Sequence, residues 1–282
     1  MSRAAEDRGG EQSQSQWAVV LGVSSGTGAA IALEVAKSRG LDVFGMHRGR
    51  YLDQAAQVER EVASTGRRIV MHRGDAGTSE GALQGADALL AAAGPRSVKL
   101  FVHSLASGSV GLFVPEQGEP LHPRQVERTF TAMAHSFIYW AQALVAKDLL
   151  APGARLLGLT NPLTESLLHN TGLITAAKAA LEIYVRHLAI ELGPRGHRVN
   201  LLKFGTVITP ALQHVYSAEA LARLDEAHRK MNPSGRMCTV EEVARFVSVL
   251  VGEDVDWFNG ATIDFTGGMT LRLLDLVLNT PR

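Results

Sequence analysis

The sequence predicts an α/β fold: a single domain on a doubly wound parallel sheet of about seven strands with helices on both faces. Three observations carry that expectation. Short apolar runs alternate with longer helical patterns from Trp17 onward, a glycine-rich turn joins the first run to the first helix, and no linker or internal repeat breaks the alternation. Strands separated by helices of ten or more residues require right-handed crossovers, and so a parallel sheet buried on both sides.

Taken in order, the strand patterns are WAVVLGV (17–23), LDVFGM (41–46), RRIVMH (67–72), VKLFVHSL (98–105), ARLLGLT (154–160), HRVNLLKF (197–204) and GATIDF (260–265). The helical patterns are 28–40, 51–65, 123–150, 172–192 and 239–252. Thr239 with Glu242 three residues later is a capping box that starts the last of these. Gly193 and Pro194 end the helix that begins at 172. Residues 211–236 read as a mostly helical insertion, placed where a lid over a substrate would lie. Residues 1–15 are polar and rich in Gln, Ser and Gly, which predicts a disordered tail ahead of a domain at 16–282.

Composition excludes several functions. Lys+Arg and Asp+Glu both number 28, so net charge suggests neither nucleic acid nor an anionic membrane as partner. The single cysteine, Cys238, excludes an internal disulfide framework. The N-terminus lacks the apolar core of a signal peptide, and no apolar run approaches the roughly 18 residues of a membrane helix. A cytoplasmic protein is expected.

The first strand runs into GVSSGTG, which sets Gly22, Ser24, Ser25, Gly26 and Gly28 at a strand-to-helix turn. Glycines there let backbone N–H groups and a helix N-terminus approach a pyrophosphate, the Rossmann-type arrangement for a dinucleotide. The second strand ends in GMHRGR. An acid at that place holds ribose hydroxyls, whereas a base accommodates a 2′-phosphate, so Arg48 argues for NADPH over NADH, with His47 or Arg50 as helpers. After the third strand, Asp75 and Ala76 sit beside the adenine, or Asp75 caps the next helix.

From Trp17 to about Thr270 the chain resembles the short-chain dehydrogenase/reductase family. The resemblance rests on Gly22-x3-Gly26-x-Gly28, Asp75, Lys178 on its helix, RVN at 198–200, GTVITP at 205–210, NPSGR followed by EEVA, and the terminal GATIDFTGG. Within the family, FVHSLASGS resembles the His-Ser-Ile/Leu-Ala stretch of enoyl-acyl-carrier-protein reductases. That resemblance implies that Lys178 binds the nicotinamide ribose and that Ser104, Leu105 and Ala106 line the cofactor. It also implies that Ile208 and Thr209 contact the carboxamide and phosphates, that Thr160 keeps a hydroxyl where the family has serine, and that the chain is a homo-oligomer, a tetramer or dimer. The two helices carrying Tyr139 and Lys178 are apolar over much of their circumference, and MTLRLLDLVLNT adds leucines after the last strand.

The resemblance fails at one point. The subfamily has tyrosines seven and seventeen positions before the lysine, where this chain has Thr171 and Asn161, and at the commoner four-residue spacing it has Ile174. Reducing a ketone makes an alkoxide and demands a general acid, whereas reducing an enoyl thioester makes a delocalised enolate that hydrogen bonds and a nearby cation can hold. The expected activity is therefore NADPH-dependent reduction of an enoyl thioester or similar activated C=C bond. Substitute donors are Thr171, His169 and Tyr139, which lies one turn from His135. The alternatives are a carbonyl reductase with a relocated acid and a catalytically silent NADP(H)-binding protein. No metal site is expected.

Overall fold

The computed structural model describes residues 15–162, 165 and 167–272. The expected N-terminal tail, apart from its last residue, and the leucines beyond 272 lie outside the described residues.

Seven strands form one parallel sheet in the order β3-β2-β1-β4-β5-β6-β7. They are β1 Trp17–Leu21, β2 Asp42–His47, β3 Ile69–Arg73, β4 Val98–His103, β5 Leu150–Thr160, β6 Arg198–Phe204 and β7 Thr262–Phe265. The helices are α1 Gly26–Arg39, α2 Leu52–Ser64, α3 Ser79–Ala93, α4 Pro123–Phe130, α5 Ser136–Ala146, α6 Gly172–Leu192, α7 Pro210–Val215, α8 Ala218–Met231 and α9 Val240–Val249. All seven expected strands form.

The reason β1 reads as an unbroken apolar run is visible in its packing. Trp17, Val19 and Leu21 join one buried cluster with Phe137, Trp140, Leu181 and Val185 of α5 and α6. Ala18 and Val20 join the other, with Ile31 and Val35 of α1 and Val243 and Val247 of α9. Alternate side chains thus meet opposite helical layers, and neither face tolerates polarity.

Three elements differ from the sequence expectation. The helical pattern at 123–150 is broken: α4 ends at Phe130, a π-helical turn spans Thr131–His135, and α5 stops at Ala146. Asp148 then takes a left-handed φ of 49°, which short acidic side chains tolerate, so Leu150 opens β5 instead of closing a helix. The third is α3, which no apolar periodicity announces because it packs through small residues. A Cβ on its Gly85 would lie 2.5 Å from the Trp140 ring, so a larger residue would push the helix off the core.

The helix ends follow their signals. Thr239 Oγ1 accepts from Glu242 N at 3.3 Å while Glu242 Oε2 accepts from Thr239 N at 2.9 Å, which completes the capping box of α9. Gly193 caps α6, and Pro194 lies in the short 3-10 turn after it. Among the described residues no helix is long and apolar enough to cross a membrane.

Candidate active site

Strand order reverses between β1 and β4, and in an open α/β sheet that reversal opens a crevice at the carboxyl ends of the strands. The glycine turn lies there. Gly22 and Gly26 adopt φ of 78° and 59°, which side chains with a Cβ rarely take. A Cβ on Gly28 would stand 2.3 Å from the carbonyl oxygen of Gly22, so Gly28 is what lets α1 pack under its own turn. Ser25, the N-cap of α1, makes no side-chain cap hydrogen bond, so no side chain of its own cap occupies the backbone donors of the first turn.

A cavity of about 180 Å³ opens over this turn. Its walls bring together Gly22, Ser24, Ser25, Gly26, Arg48, Asp75, Ala76, Ser104, Leu105, Ala106 and Thr209. Most of the cofactor contacts expected from sequence therefore converge on one space. Gly28 supports the turn from below, Ile208 stands 40% exposed beside Thr209, and Lys178 lies apart from the cavity wall. Tyr51, Met46, Ser107 and Ala132 also line the cavity and were not among the expected residues. Ala132 arrives on the π-helical turn, which no local pattern foretells.

The polar walls have distinct tasks. Arg48 Nη2 donates to Ser107 Oγ at 3.1 Å, joining the loop after β2 to the loop after β4. Arg50 shares the wall with it. His47 is not a third cation: burial first, then the Arg73 guanidinium, push its pKa below 6.5, and Nδ1 accepts from Gly49 N at 3.2 Å. Asp75 is not a helix cap either, since Thr78 fills that place on α3. Its Oδ1 accepts from Gly77 N at 3.0 Å, and this turn holds the carboxylate against the cavity.

The candidate chemical centre lies where β4, β5 and α6 converge. Lys178 is buried on α6 and its Nζ donates to the Leu159 carbonyl of β5 at 2.6 Å. Burial lowers its pKa from 10.5 to about 8, so it is still a cation at neutral pH. Thr160, next along β5, is buried. His103 at the end of β4 is fully buried, with Nε2 at 2.7 Å from Ser136 Oγ. Because the Ser136 hydroxyl donates to the Ala132 carbonyl at 2.9 Å, His103 is the donor to it. Burial first, and the Lys178 charge second, lower the His103 pKa to about 3. It stays neutral, and its edge-on contact with Phe137 makes it a packing residue.

The substitute donors named from sequence are dispersed. Thr171 is buried at the start of α6, and its hydroxyl donates to the Leu168 carbonyl at 3.0 Å. His169 lies in the exposed turn before it. Tyr139 packs, partly buried, against the cluster between the sheet, α5 and α6. His135 pairs with Tyr184 instead, Nδ1 to OH at 3.1 Å, a contact that spacing along either helix does not reveal. At the four-residue spacing, Ile174 faces the loop after β4, its Cγ1 2.9 Å from where a Cβ on Gly108 would stand.

Comparison with known proteins bears on this geometry. The family described as Enoyl-(Acyl carrier protein) reductase matches residues 22–270. The chain belongs to that family, an enoyl-reductase-like branch of the short-chain dehydrogenase/reductases. It is accordingly an oxidoreductase of that family. It is 26% identical over 258 residues to the 1-cyclohexenylcarbonyl-CoA reductase of Streptomyces collinus, covering 91% of this chain and 87% of that one. It is 28% identical over 178 residues to the NADH enoyl-acyl-carrier-protein reductase FabI of Escherichia coli, spanning 62% of this chain and 65% of the relative. Among solved structures, a short-chain dehydrogenase from Burkholderia cenocepacia in complex with NADP superposes with a TM-score of 0.75 at 26% identity, over 91% of this chain and 98% of that one. L-sorbose reductase from Gluconobacter frateurii, complexed with NADPH and L-sorbose, shares the fold with a TM-score of 0.79 at 22% identity, over 91% of this chain and 97% of that one.

Proposed function

We propose that the protein is an NADPH-dependent reductase of an enoyl thioester or a similarly activated C=C bond. The observation that carries the reading is the buried Lys178 cation at the carboxyl edge of β5, with no phenol at position 161, 171 or 174. A site with a fixed positive charge and no strong acid suits a reaction whose negative charge stays on a delocalised enolate. The relatives agree, since 1-cyclohexenylcarbonyl-CoA and enoyl-acyl-carrier-protein are both α,β-unsaturated thioesters.

The cavity fits a nicotinamide dinucleotide. Gly22 and Gly26 line the turn, Gly28 lets α1 pack close beneath it, and Arg48 and Arg50 on the same cavity offer charge to a 2′-phosphate. Bound NADPH would supply the hydride. The protein's own share of the work is to hold the reactants, exclude water and stabilise the thioester oxygen as charge gathers on it. Lys178 supplies the charge, and Thr160, buried next to the Leu159 carbonyl that Lys178 holds, adds a hydroxyl at the end of β5. The segment at 211–236 forms most of α7 and α8, joined to β6 through Thr209, and its position in the chain supports a role as substrate lid.

Cofactor choice has its own expected result. Arg48→Ala raises the Kd for NADPH by about 10–100-fold, the cost of a charge-assisted hydrogen bond of roughly 1.5–3 kcal/mol, and leaves the Kd for NADH within about threefold. Fluorescence titration with both cofactors reads this directly. An equal loss for both would mean that Arg48 does not select the phosphate.

Assembly as a tetramer or dimer belongs to the same reading. Ile183 and Ile190, seven residues apart and so near one face of α6, stand 48% and 74% exposed and offer apolar surface that a second chain would cover. Light scattering should find more than one chain per particle, and a monomer would exclude this role for α6. The activity itself is tested by NADPH oxidation with crotonyl and acetoacetyl thioesters. Turnover of the first and not the second is expected, and turnover of the second alone would point to a carbonyl reductase.

A further inference from the structure

The turn after β2 carries Arg48, Gly49 and Arg50, and its two arginines stand on the cavity wall. A third guanidinium meets them from the next strand. In the parallel pairing of β2 with β3, Arg73 lies opposite His47, the last residue of β2. Its side chain reaches over the arginine turn: a Cβ on Gly49 would stand 2.7 Å from Arg73 Nε and 3.1 Å from Arg73 Cζ. The guanidinium thus takes the space that a side chain at position 49 would fill, beside the residue that separates the two cavity arginines.

The backbone fixes this arrangement. Gly74 N donates to the His47 carbonyl at 3.0 Å, and Gly49 N donates to His47 Nδ1 at 3.2 Å, so the end of β3 and the arginine turn are both held on one residue. Gly74, next to Arg73, is itself part of the cavity wall. The Arg73 charge is felt there: after burial it is the strongest influence that lowers the pKa of His47, with His72 acting more weakly in the same sense and Glu59 of α2 in the opposite one. Among the described residues none of the three arginines forms an ion pair, and their one side-chain hydrogen bond is that of Arg48 to the neutral Ser107 hydroxyl. Three like charges around one turn repel one another, and an arriving anion relieves that repulsion. A phosphate monoester, with up to about two negative charges and three acceptor oxygens, suits such a set far better than a ribose hydroxyl does.

We propose that Arg73 is a specificity-determining residue for the 2′-phosphate of NADPH, adding charge across Gly49 and holding the turn that presents Arg48 and Arg50. This rests on the NADPH reading above. Arg73 is a positioning residue: it stands behind the backbone of Gly49 and outside the cavity wall, so its share of the selectivity is smaller than that of Arg48. It comes from β3, not from the turn after β2 where a cation for the phosphate is ordinarily sought.

Titration of the wild type, Arg73→Met and Arg73→Lys with NADPH and with NADH tests the assignment. Arg73 is exposed, so neither substitution opens a cavity in the core. Arg73→Met is expected to raise the Kd for NADPH by about 3–10-fold and the Kd for NADH by less than about twofold, since only the phosphate answers to the lost charge. Arg73→Lys keeps the charge and is expected to recover most of that loss. A residue that merely braced the turn would move both cofactors alike. Salt gives a second readout: the Kd for NADPH should rise less steeply with ionic strength in Arg73→Met than in the wild type, because fewer cations face the phosphate. A wild type that prefers NADPH overturns the assignment of Arg73 alone if Arg73→Met costs NADPH less than about threefold, costs NADH as much, or leaves the salt dependence unchanged. A wild type without a preference for NADPH overturns the NADPH reading and this assignment with it. If Arg73→Met does not fold, Arg73→Gln decides in its place by the same criteria.

Discussion

Lys178→Met is expected to reduce kcat on an enoyl thioester by about 10²–10³-fold, since on the proposed reading it removes the buried charge that stabilises the enolate while keeping nearly the same volume. The loss should fall mainly on kcat, because the charge matters most once the oxygen carries its own. The pH dependence gives this expectation a signature. Burial lowers the Lys178 pKa to about 8, so the ammonium is complete below that pH and lost above it. The kcat/KM for the cofactor, which reports the free enzyme, should therefore be level up to about pH 8 and fall about tenfold per unit beyond it. In Lys178→Arg the guanidinium stays charged, and the break should leave the accessible range.

Stability should move the other way. Because the folded pKa lies below the ordinary 10.5, the unfolded chain binds more protons between about pH 8 and 10.5, and in that window this group makes the fold more stable as pH rises. Activity that falls while unfolding resistance rises over the same window would identify a buried cation. An exposed lysine would show neither trend.

Gly28→Ala carries the second large effect. Its new Cβ would stand 2.3 Å from the Gly22 carbonyl oxygen, a backbone atom that a side-chain rotation cannot move aside. Either α1 shifts or the turn opens, and both displace the backbone donors around the cavity. The expected cost is about 1–3 kcal/mol in stability, with NADPH affinity reduced at least about 100-fold. Gly66→Ala is the fitting comparison, since a Cβ there meets nothing within 4 Å and only its φ of 79° is strained. That variant should lose about 1–2 kcal/mol from backbone strain and bind NADPH normally. Equal affinities for the two variants would show that the glycine turn does not hold the dinucleotide.

The half of the site that sequence reveals is the half built from contiguous residues. Gly22 to Gly28, Arg48 and Asp75 each follow a strand whose apolar run is unmistakable, and a strand-turn-helix unit places its turn residues without help from the rest of the chain. The other half depends on distant partners. The π-helical turn at Thr131–His135 that delivers Ala132 to the cavity reads, as TAMAH, like the middle of one continuous helix. The pairing of His135 with Tyr184 joins two helices 49 positions apart. Asp148 looks like the interior of a helix until its left-handed φ turns the chain into β5. At Asn161 the sequence shows only that a tyrosine is missing. The pairing of Lys203 with Glu165 and Asp264 likewise joins residues far apart in the chain, brought together only by the parallel pairing of β5, β6 and β7.

The destination of the hydride tests the central claim most directly. With NADPH carrying deuterium at the transferable C4 position and a crotonyl thioester as substrate, mass spectrometry and NMR of the product should find one deuterium, on the β-carbon of a saturated thioester. Deuterium delivered instead only to the carbinol carbon of a hydroxyacyl product, from an acetoacetyl thioester run in parallel, would contradict it.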